Sequence, residues 1–95
     1  MTELRYHPRV KRDLKQLDPL LRNEIRDELL PSIQKNPQIG ISLKGQLKGI
    51  LSYHFKYQNI QYRIAYLYSQ HADTITILMI GKRENFYAVL TRRLS

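Results

Sequence analysis

Apolar side chains recur at helical spacing along the first 35 residues. This spacing predicts two helices, with apolar stripes at Val10, Leu14 and Leu17 in the first and at Leu21, Ile25, Leu29 and Ile33 in the second. A short strand is predicted ahead of them, at residues 2–7. Asp18 and Pro19 suit the N-cap and the first turn of the second helix. Because Pro31 has no N–H to donate, we expect a kink near residues 30–31.

From Lys44 onward the period changes from helical to alternating, which predicts β-strands. The predicted strands are residues 51–57, 60–68 and 74–80, the last almost entirely apolar or β-branched and ended by Gly81. Residues 58–59 (QN) suit a tight hairpin turn, and residues 84–94 predict a closing helix. The order β-α-α-β-β-β-α indicates an α+β fold. We expect a small antiparallel sheet, with two N-terminal helices packed on one face and a short C-terminal helix.

Composition narrows the class of protein. The chain has 95 residues, of which 42% are hydrophobic and 25% charged, so we expect one folded domain spanning residues 1–95. There is no cysteine, no apolar run long enough to cross a membrane and no apolar core of a signal peptide near the N-terminus. We therefore expect a cytoplasmic protein that does not bind membranes.

The charge is strongly positive and unevenly spread. Sixteen Lys and Arg against eight Asp and Glu give a net charge of +8, and residues 44–95 alone carry eight basic and two acidic side chains. Such a basic half suits a polyanion partner, above all nucleic acid, although it also serves solubility. No cluster of histidine and carboxylate residues is spaced for a metal ion, so no metal or cofactor is expected.

The predicted hairpin would bring three basic residues together. A two-residue turn at 58–59 pairs His54 with Arg63 and places Lys56 two residues along on the same face. With no carboxylate between them, this arrangement is unfavourable unless an anion such as phosphate occupies the space. The alternative is that these are ordinary solvent-facing strand residues, with Lys56 also protecting a sheet edge from pairing.

A second group of candidates lies in residues 81–87 (GKRENFY). Here Arg83 can fork onto phosphate oxygens and Tyr87 can stack on a nucleobase. The alternative interpretation is a surface arginine and a core tyrosine.

Three lysines complete the candidates. Lys44 and Lys48 flank a glycine and are either phosphate contacts or solvated loop residues, and Lys82 precedes Arg83. The pair Arg92 and Arg93 is interpreted as a solvent-exposed helix end.

Four segments together resemble the RelE/ParE superfamily of bacterial toxins, in particular its RelE-like branch. They are residues 10–17 (VKRDLKQL), 43–49 (LKGQLKG), 62–66 (YRIAY) and 81–87 (GKRENFY). The resemblance implies the toxin of a type II toxin–antitoxin system, with a small antiparallel sheet and a mobile C-terminal helix. It also implies an mRNA interferase, a metal-independent endoribonuclease that cuts the codon in the ribosomal A site. In that reaction a 2′-hydroxyl attacks the adjacent phosphate, and translation is inhibited.

The resemblance implies catalytic roles for His54, Lys56, Arg63, Arg83 and Tyr87. His54 stands where RelE itself has a lysine, so either His54 or Lys56 is the candidate general base. Repulsion among clustered cations favours loss of a proton from one of them. Arg63 would clamp the phosphate, Arg83 would act as acid or charge stabiliser, and Tyr87 would stack on or orient a base. Arginine is a poor acid, which favours charge stabilisation by Arg83.

The resemblance also implies partners and one close alternative. A cognate antitoxin and the 70S ribosome with mRNA in its A site are expected, and operator DNA is expected only for the toxin–antitoxin complex. Lys44, Lys48 and Lys82 are the candidate RNA- or ribosome-binding residues. ParE-like toxins, by contrast, resemble inhibitors of DNA gyrase and lack the RNA-cutting residues. A non-enzymatic basic RNA-binding module is a further alternative.

Overall fold

A computed structural model describes residues 2–95. The strands are β1 (Glu3–Tyr6), β2 (Ile41–Ser42), β3 (Leu51–Tyr57), β4 (Ile60–Ser69) and β5 (Thr74–Lys82). The helices are α1 (Val10–Lys15), α2 (Pro19–Glu24), α3 (Leu30–Lys35) and α4 (Phe86–Arg93). A π-helical turn at Ile25–Leu29 joins α2 to α3, and 3₁₀ turns occupy Pro37–Ile39 and Gly45–Leu47. Within residues 2–95, none of the helices is long and apolar enough to cross a membrane.

The five strands form one sheet in the order β1-β5-β4-β3-β2. Strands β2 to β5 pair antiparallel, which confirms the predicted meander and the α+β class. The first strand differs, since β1 pairs with β5 in parallel. The sequence also gave no sign of β2, a two-residue edge strand that pairs with the start of β3.

The second helical section begins as predicted and is interrupted one turn earlier than expected. The backbone N–H of Leu20 donates to Asp18 Oδ1 at 2.9 Å, and Pro19 occupies the first turn of α2. Instead of a break at residues 30–31, the π-helical turn carries a bond from the Leu30 N–H to the Ile25 carbonyl. A proline ring crowds the carbonyl four residues before it. The π-helical turn contains the carbonyl that Pro31 would crowd.

The hairpin between β3 and β4 has the predicted turn and register. Gln58 and Asn59 both adopt positive φ, 50° and 65°, as the tightest hairpin turn requires. His54 therefore pairs with Arg63. Gly81 does not end β5 as predicted, because β4 still offers it a pairing partner and the strand continues to Lys82.

The two sides of the sheet are covered differently. We call the side beneath α1, α2 and α3 the closed face; its core contains Val10, Leu21, Ile25, Leu30, Ile33, Tyr62, Ile64, Tyr66, Ile75, Ile77 and Ile80. We call the other side the open face; its smaller apolar cluster contains Ile50, Ala65, Leu78, Met79, Phe86 and Leu90. Among residues 2–95, α4 and the turn near residue 47 contribute to covering the open face.

Candidate active site

Alternation along β3 puts Ser52, His54 and Lys56 on the open face, because the residues between them pack into the closed-face core. The register then sets their neighbours on β4. His54 lies opposite Arg63, and Lys56 lies opposite Gln61. Polar and basic side chains thus occupy the part of the open face that the apolar cluster under α4 leaves uncovered.

Two of these side chains, Ser52 and His54, meet Tyr87 in the first turn of α4. His54 Nε2 lies 3.1 Å from Ser52 Oγ and 3.2 Å from Tyr87 Oη. The Tyr87 hydroxyl also lies 3.4 Å from Ser52 Oγ, within reach to donate to it. Ser52 is completely buried. We call Ser52, His54, Arg63 and Tyr87 the histidine cluster.

Arg63 joins the cluster through the tyrosine ring. Its guanidinium carbon lies 4.6 Å from the centre of the Tyr87 ring, a cation–π contact. Phe86, which is buried, holds the start of α4 against the sheet and meets Tyr87 edge-on at 5.7 Å. Asn85 turns the chain into α4 with a left-handed φ of 58°.

The electrostatics of the cluster favour a neutral imidazole. Burial lowers the pKa of His54 below its ordinary value of 6.5, and the positive charge of Arg63 lowers it further. At neutral pH, His54 therefore has a ring nitrogen able to accept a proton. No ion pair among residues 2–95 includes Lys56, Arg63 or Arg83. Their positive charge is left for an anion outside the protein.

Lys56 and Arg83 lie beside the histidine cluster, on the side nearer the turn between β3 and β4. Both are exposed. The backbone N–H of Arg83 donates to the Gln61 carbonyl at 3.0 Å, and Gln61 pairs with Lys56, so the backbones of Lys56 and Arg83 flank Gln61. Of the five predicted catalytic residues, the structure brings His54, Arg63 and Tyr87 into contact, and sets Lys56 and Arg83 beside them without direct contact.

The other predicted binding residues lie outside the cluster. Lys82 is exposed and lines a separate groove of about 420 Å³ that also includes Arg12. Lys44 and Lys48 are exposed on either side of the Gly45–Leu47 turn. Their roles as RNA- or ribosome-binding residues remain predictions.

Two features of the open face were missed from the sequence. Ser52 alternates onto the same face as His54, but nothing in its sequence neighbourhood marks a serine as a partner of His54 and Tyr87. The interpretation of Arg93 as part of a solvated helix end is wrong. Its side chain is only 9% exposed because it forms an ion pair with Asp13.

The donor set does not resemble a metal centre. Over residues 2–95, no group of three His, Cys, Asp or Glu side chains is placed to hold a metal ion. The cluster and its two basic neighbours, Lys56 and Arg83, offer a neutral imidazole, three cations and a half-buried aromatic ring on an open surface. These groups can bind a phosphodiester and accept a proton beside it.

Comparison with known proteins gives a family and a fold. The family model described as ParE-like toxin of type II bacterial toxin-antitoxin systems matches residues 4–91. No curated protein sequence matches the chain. Solved structures with the same fold include the toxin–antitoxin complex RelBE2 from Mycobacterium tuberculosis, at 23% identity and a TM-score of 0.76, covering 86% of this chain and 98% of that one.

Two structures of the toxin RelE from Escherichia coli share the fold as well. A double arginine-to-alanine variant in the free state has a TM-score of 0.75 at 18% identity, over 99% of this chain and 98% of that one. The isolated toxin has a TM-score of 0.66 at 19% identity, over the full length of both chains. The predicted RelE-like fold is confirmed.

Proposed function

The chain belongs to the ParE-like toxins of type II bacterial toxin–antitoxin systems, and we propose that it is a metal-independent endoribonuclease that cleaves mRNA in the ribosomal A site. The observation that supports this most is the histidine cluster. A neutral imidazole, within hydrogen-bond distance of two hydroxyls, lies next to cations that have no carboxylate partner among residues 2–95. An imidazole that can accept a proton beside unpaired cations suits cleavage of a phosphodiester, whereas inhibition by binding alone requires no proton transfer.

The proposed reaction is an internal transesterification. The 2′-oxygen of one nucleotide attacks the adjacent phosphorus, and the bond from phosphorus to the 5′-oxygen breaks. A base removes the 2′-hydroxyl proton and an acid supplies a proton to the departing 5′-oxygen. The products are a 2′,3′-cyclic phosphate and a 5′-hydroxyl, so no water, metal or cofactor is consumed in this step.

We assign the base to His54. With the proton on Nε2, the ring donates to the hydroxyl of Ser52 or Tyr87, and Nδ1 is left unprotonated and without a protein partner among residues 2–95. The lowered pKa keeps this neutral form populated at pH 7. Tyr87 then has two tasks, since its hydroxyl holds the imidazole and its ring orients the substrate base.

Three cations would bind the phosphate, stabilise its developing charge and protonate the leaving 5′-oxygen. Arg63 is fixed over the Tyr87 ring and is suited to clamping the phosphate as charge builds on its oxygens. Arg83 stabilises charge, because a guanidinium hardly gives up its proton. Lys56 has the ammonium that can supply a proton to the 5′-oxygen.

We further propose that a cognate antitoxin binds this chain and suppresses its activity in the cytoplasm. Among proteins of the same fold, RelBE2 of M. tuberculosis and RelBE of E. coli were solved as toxin–antitoxin complexes. With a net charge of +8, this chain favours an acidic partner segment over its exposed basic residues. Binding to operator DNA is proposed only for the complex.

The test is primer extension on a defined mRNA, with and without programmed 70S ribosomes. Wild type should give discrete cuts inside the A-site codon, only with ribosomes, and Arg83→Ala should lose them. Arg92→Ala is the matched control, since it removes an exposed arginine outside the cluster and should cut like wild type.

Three results would contradict the proposal. Cuts on free RNA would remove the ribosome from it. RNA retention without new ends would indicate a binding module. No cuts at all, together with loss of gyrase supercoiling, would establish the ParE-type activity that the family description also allows.

A further inference from the structure

The last turn of α4 is tied to the rest of the protein by a buried ion pair. Arg93 Nη1 donates to Asp13 Oδ2 at 2.7 Å and Nη2 donates to Asp13 Oδ1 at 2.8 Å, so the pair is bidentate. The two side chains are only 9% and 10% exposed. A helix at one end of the sequence is thereby joined to a helix at the other.

Strand β5 completes this contact. Arg93 Nη1 also donates to the Leu78 carbonyl at 2.9 Å, and the Ile80 N–H donates to Asp13 Oδ2 at 3.1 Å. The pair therefore connects α1, α4 and the backbone of β5 at one point. We call Asp13, Arg93 and these two backbone groups the α4 latch.

The latch lies at the opposite end of α4 from the histidine cluster. Tyr87 and Arg93 are six residues apart, which corresponds to about 9 Å along a helix. Phe86, just before Tyr87, and Leu90, between Tyr87 and Arg93, are the buried apolar residues of α4. Arg93 continues the same stripe at a spacing of three residues, so it provides the third fixed point along a helix of only eight residues.

An ion pair at this position has a cost that apolar contact would avoid. Burying two charges carries a desolvation penalty, and Arg93 Nε is left without a hydrogen-bond partner. A leucine at position 93 would bury apolar surface without this penalty. In return, a bidentate pair fixes direction as well as distance. The gain from the α4 latch is therefore the orientation of α4.

We propose that Asp13 and Arg93 are positioning residues, which hold α4 so that Tyr87 remains against His54 and over Arg63. Neither residue touches the histidine cluster; both act through the helix. The consequence for RNA cleavage rests on the proposed function, whereas the placement of Tyr87 does not.

Two spectroscopic signals report the placement of Tyr87 without any assay of cleavage. The Tyr87 ring shifts the proton resonances of the Arg63 side chain, which lies over it. Burial lowers the pKa of His54, and its ring lies 3.2 Å from the Tyr87 hydroxyl, so displacement of α4 should expose the imidazole further and raise that pKa. Both signals can be followed by NMR in the full chain.

The experiment compares Asp13→Asn and Arg93→Leu with the control Arg92→Leu, which removes the neighbouring exposed arginine from the same helix. In both latch variants we expect the Arg63 resonances to lose their ring shift and the pKa of His54 to rise towards 6.5. Cleavage should fall at least tenfold. Arg92→Leu should keep both signals and the wild-type rate.

Two results would overturn the proposal. The first is a folded latch variant whose Arg63 resonances and His54 titration are those of wild type, since Phe86 and Leu90 would then suffice to place Tyr87. The second is global unfolding of both latch variants, the isosteric Asp13→Asn included, because the pair would then serve the stability of the whole chain. If wild type cuts no RNA, the proposed function fails while the two NMR signals still decide the role of the latch.

Discussion

The two faces of the sheet differ in what holds them together. The closed face packs a continuous apolar core beneath three helices, with Leu21, Ile33, Ile64 and Tyr66 completely buried. The open face has a smaller apolar cluster under one short helix, and beside it lie Lys56, Arg63 and Arg83, which have no carboxylate partner among residues 2–95. The larger apolar core lies on the closed face, so the open face can hold an arrangement of charges that does not help folding.

This difference makes the faces separable by mutation. Substitutions on the closed face should change the free energy of unfolding and leave the chemistry per folded molecule alone. Substitutions in the histidine cluster should do the opposite. The following predictions test this separation from the largest expected effect to the smallest.

Leu21→Ala should lower the free energy of unfolding by about 2–5 kcal/mol, because it leaves a cavity where the side chain was fully buried. Urea denaturation measures the change. The rate of mRNA cleavage per folded molecule should remain that of wild type. A comparable loss of cleavage rate in the folded fraction would show that the faces are not independent.

Arg63→Gln should reduce the cleavage rate by about 10²–10³-fold, since it removes a charge placed to stabilise the developing phosphate oxyanion. Its effect on stability should stay within about 1 kcal/mol, the usual worth of a partly exposed cation–π contact. Single-turnover cleavage and urea denaturation of the same preparation give the two numbers. Arg22→Gln, on α2, is the control, and an equal loss of rate there would point to a general charge effect.

The cleavage rate should depend on pH through His54. Because its folded pKa lies below 6.5, wild type should show a pH-independent rate above about 6.5 and a roughly tenfold fall per pH unit below the folded value. His54→Gln should cut slowly and lack this acid limb. His71→Gln should retain it, which corrects for any effect of acid on the ribosome. An acid limb that persists in His54→Gln would assign the base to another group.

The lowered pKa of His54 should also make the free energy of unfolding depend on pH, with a smaller effect than on cleavage. The unfolded chain binds the His54 proton more readily than the folded chain, so the stabilisation from neutral His54 is present above pH 6.5 and is lost as the pH falls through the folded value. His54→Gln should flatten this part of the stability profile. Urea titrations between pH 5 and about 7 measure it, and an unchanged slope would contradict the assignment.

Ser52→Ala should have the smallest effect, a loss of about 1 kcal/mol in stability, because one buried hydroxyl with two neighbours disappears. His54 keeps its contact with Tyr87, so cleavage should fall only a few-fold. A loss of rate as large as that of Arg63→Gln would give Ser52 a direct part in the chemistry.

The sequence predicted what depends on local order. Alternation and a two-residue turn were enough to set His54 opposite Arg63, and a helix cap was readable at Asp18. Contacts between residues far apart in the sequence could not be predicted in this way. The pairing of Asp13 with Arg93 joins residues 80 positions apart, and neither the spacing nor the neighbours of either residue indicate it.

The candidate active site, too, was predicted only in part from the sequence. The resemblance to RelE-like toxins selected five residues, and the structure places three of them in contact. Ser52 escaped notice because a serine in a strand usually faces solvent. Only the position of α4 over the sheet, a tertiary property, turns it into a buried partner of His54 and Tyr87.

The central claim is that the open face performs an RNA transesterification, and the 2′-hydroxyl tests it most directly. The measurement is cleavage of ribosome-bound mRNA whose A-site codon contains a single 2′-deoxynucleotide at the cut position, compared with the all-ribose message. We predict that wild type cuts the ribose message to a 2′,3′-cyclic phosphate and leaves the deoxy message intact. Equal cleavage of both messages would contradict the account.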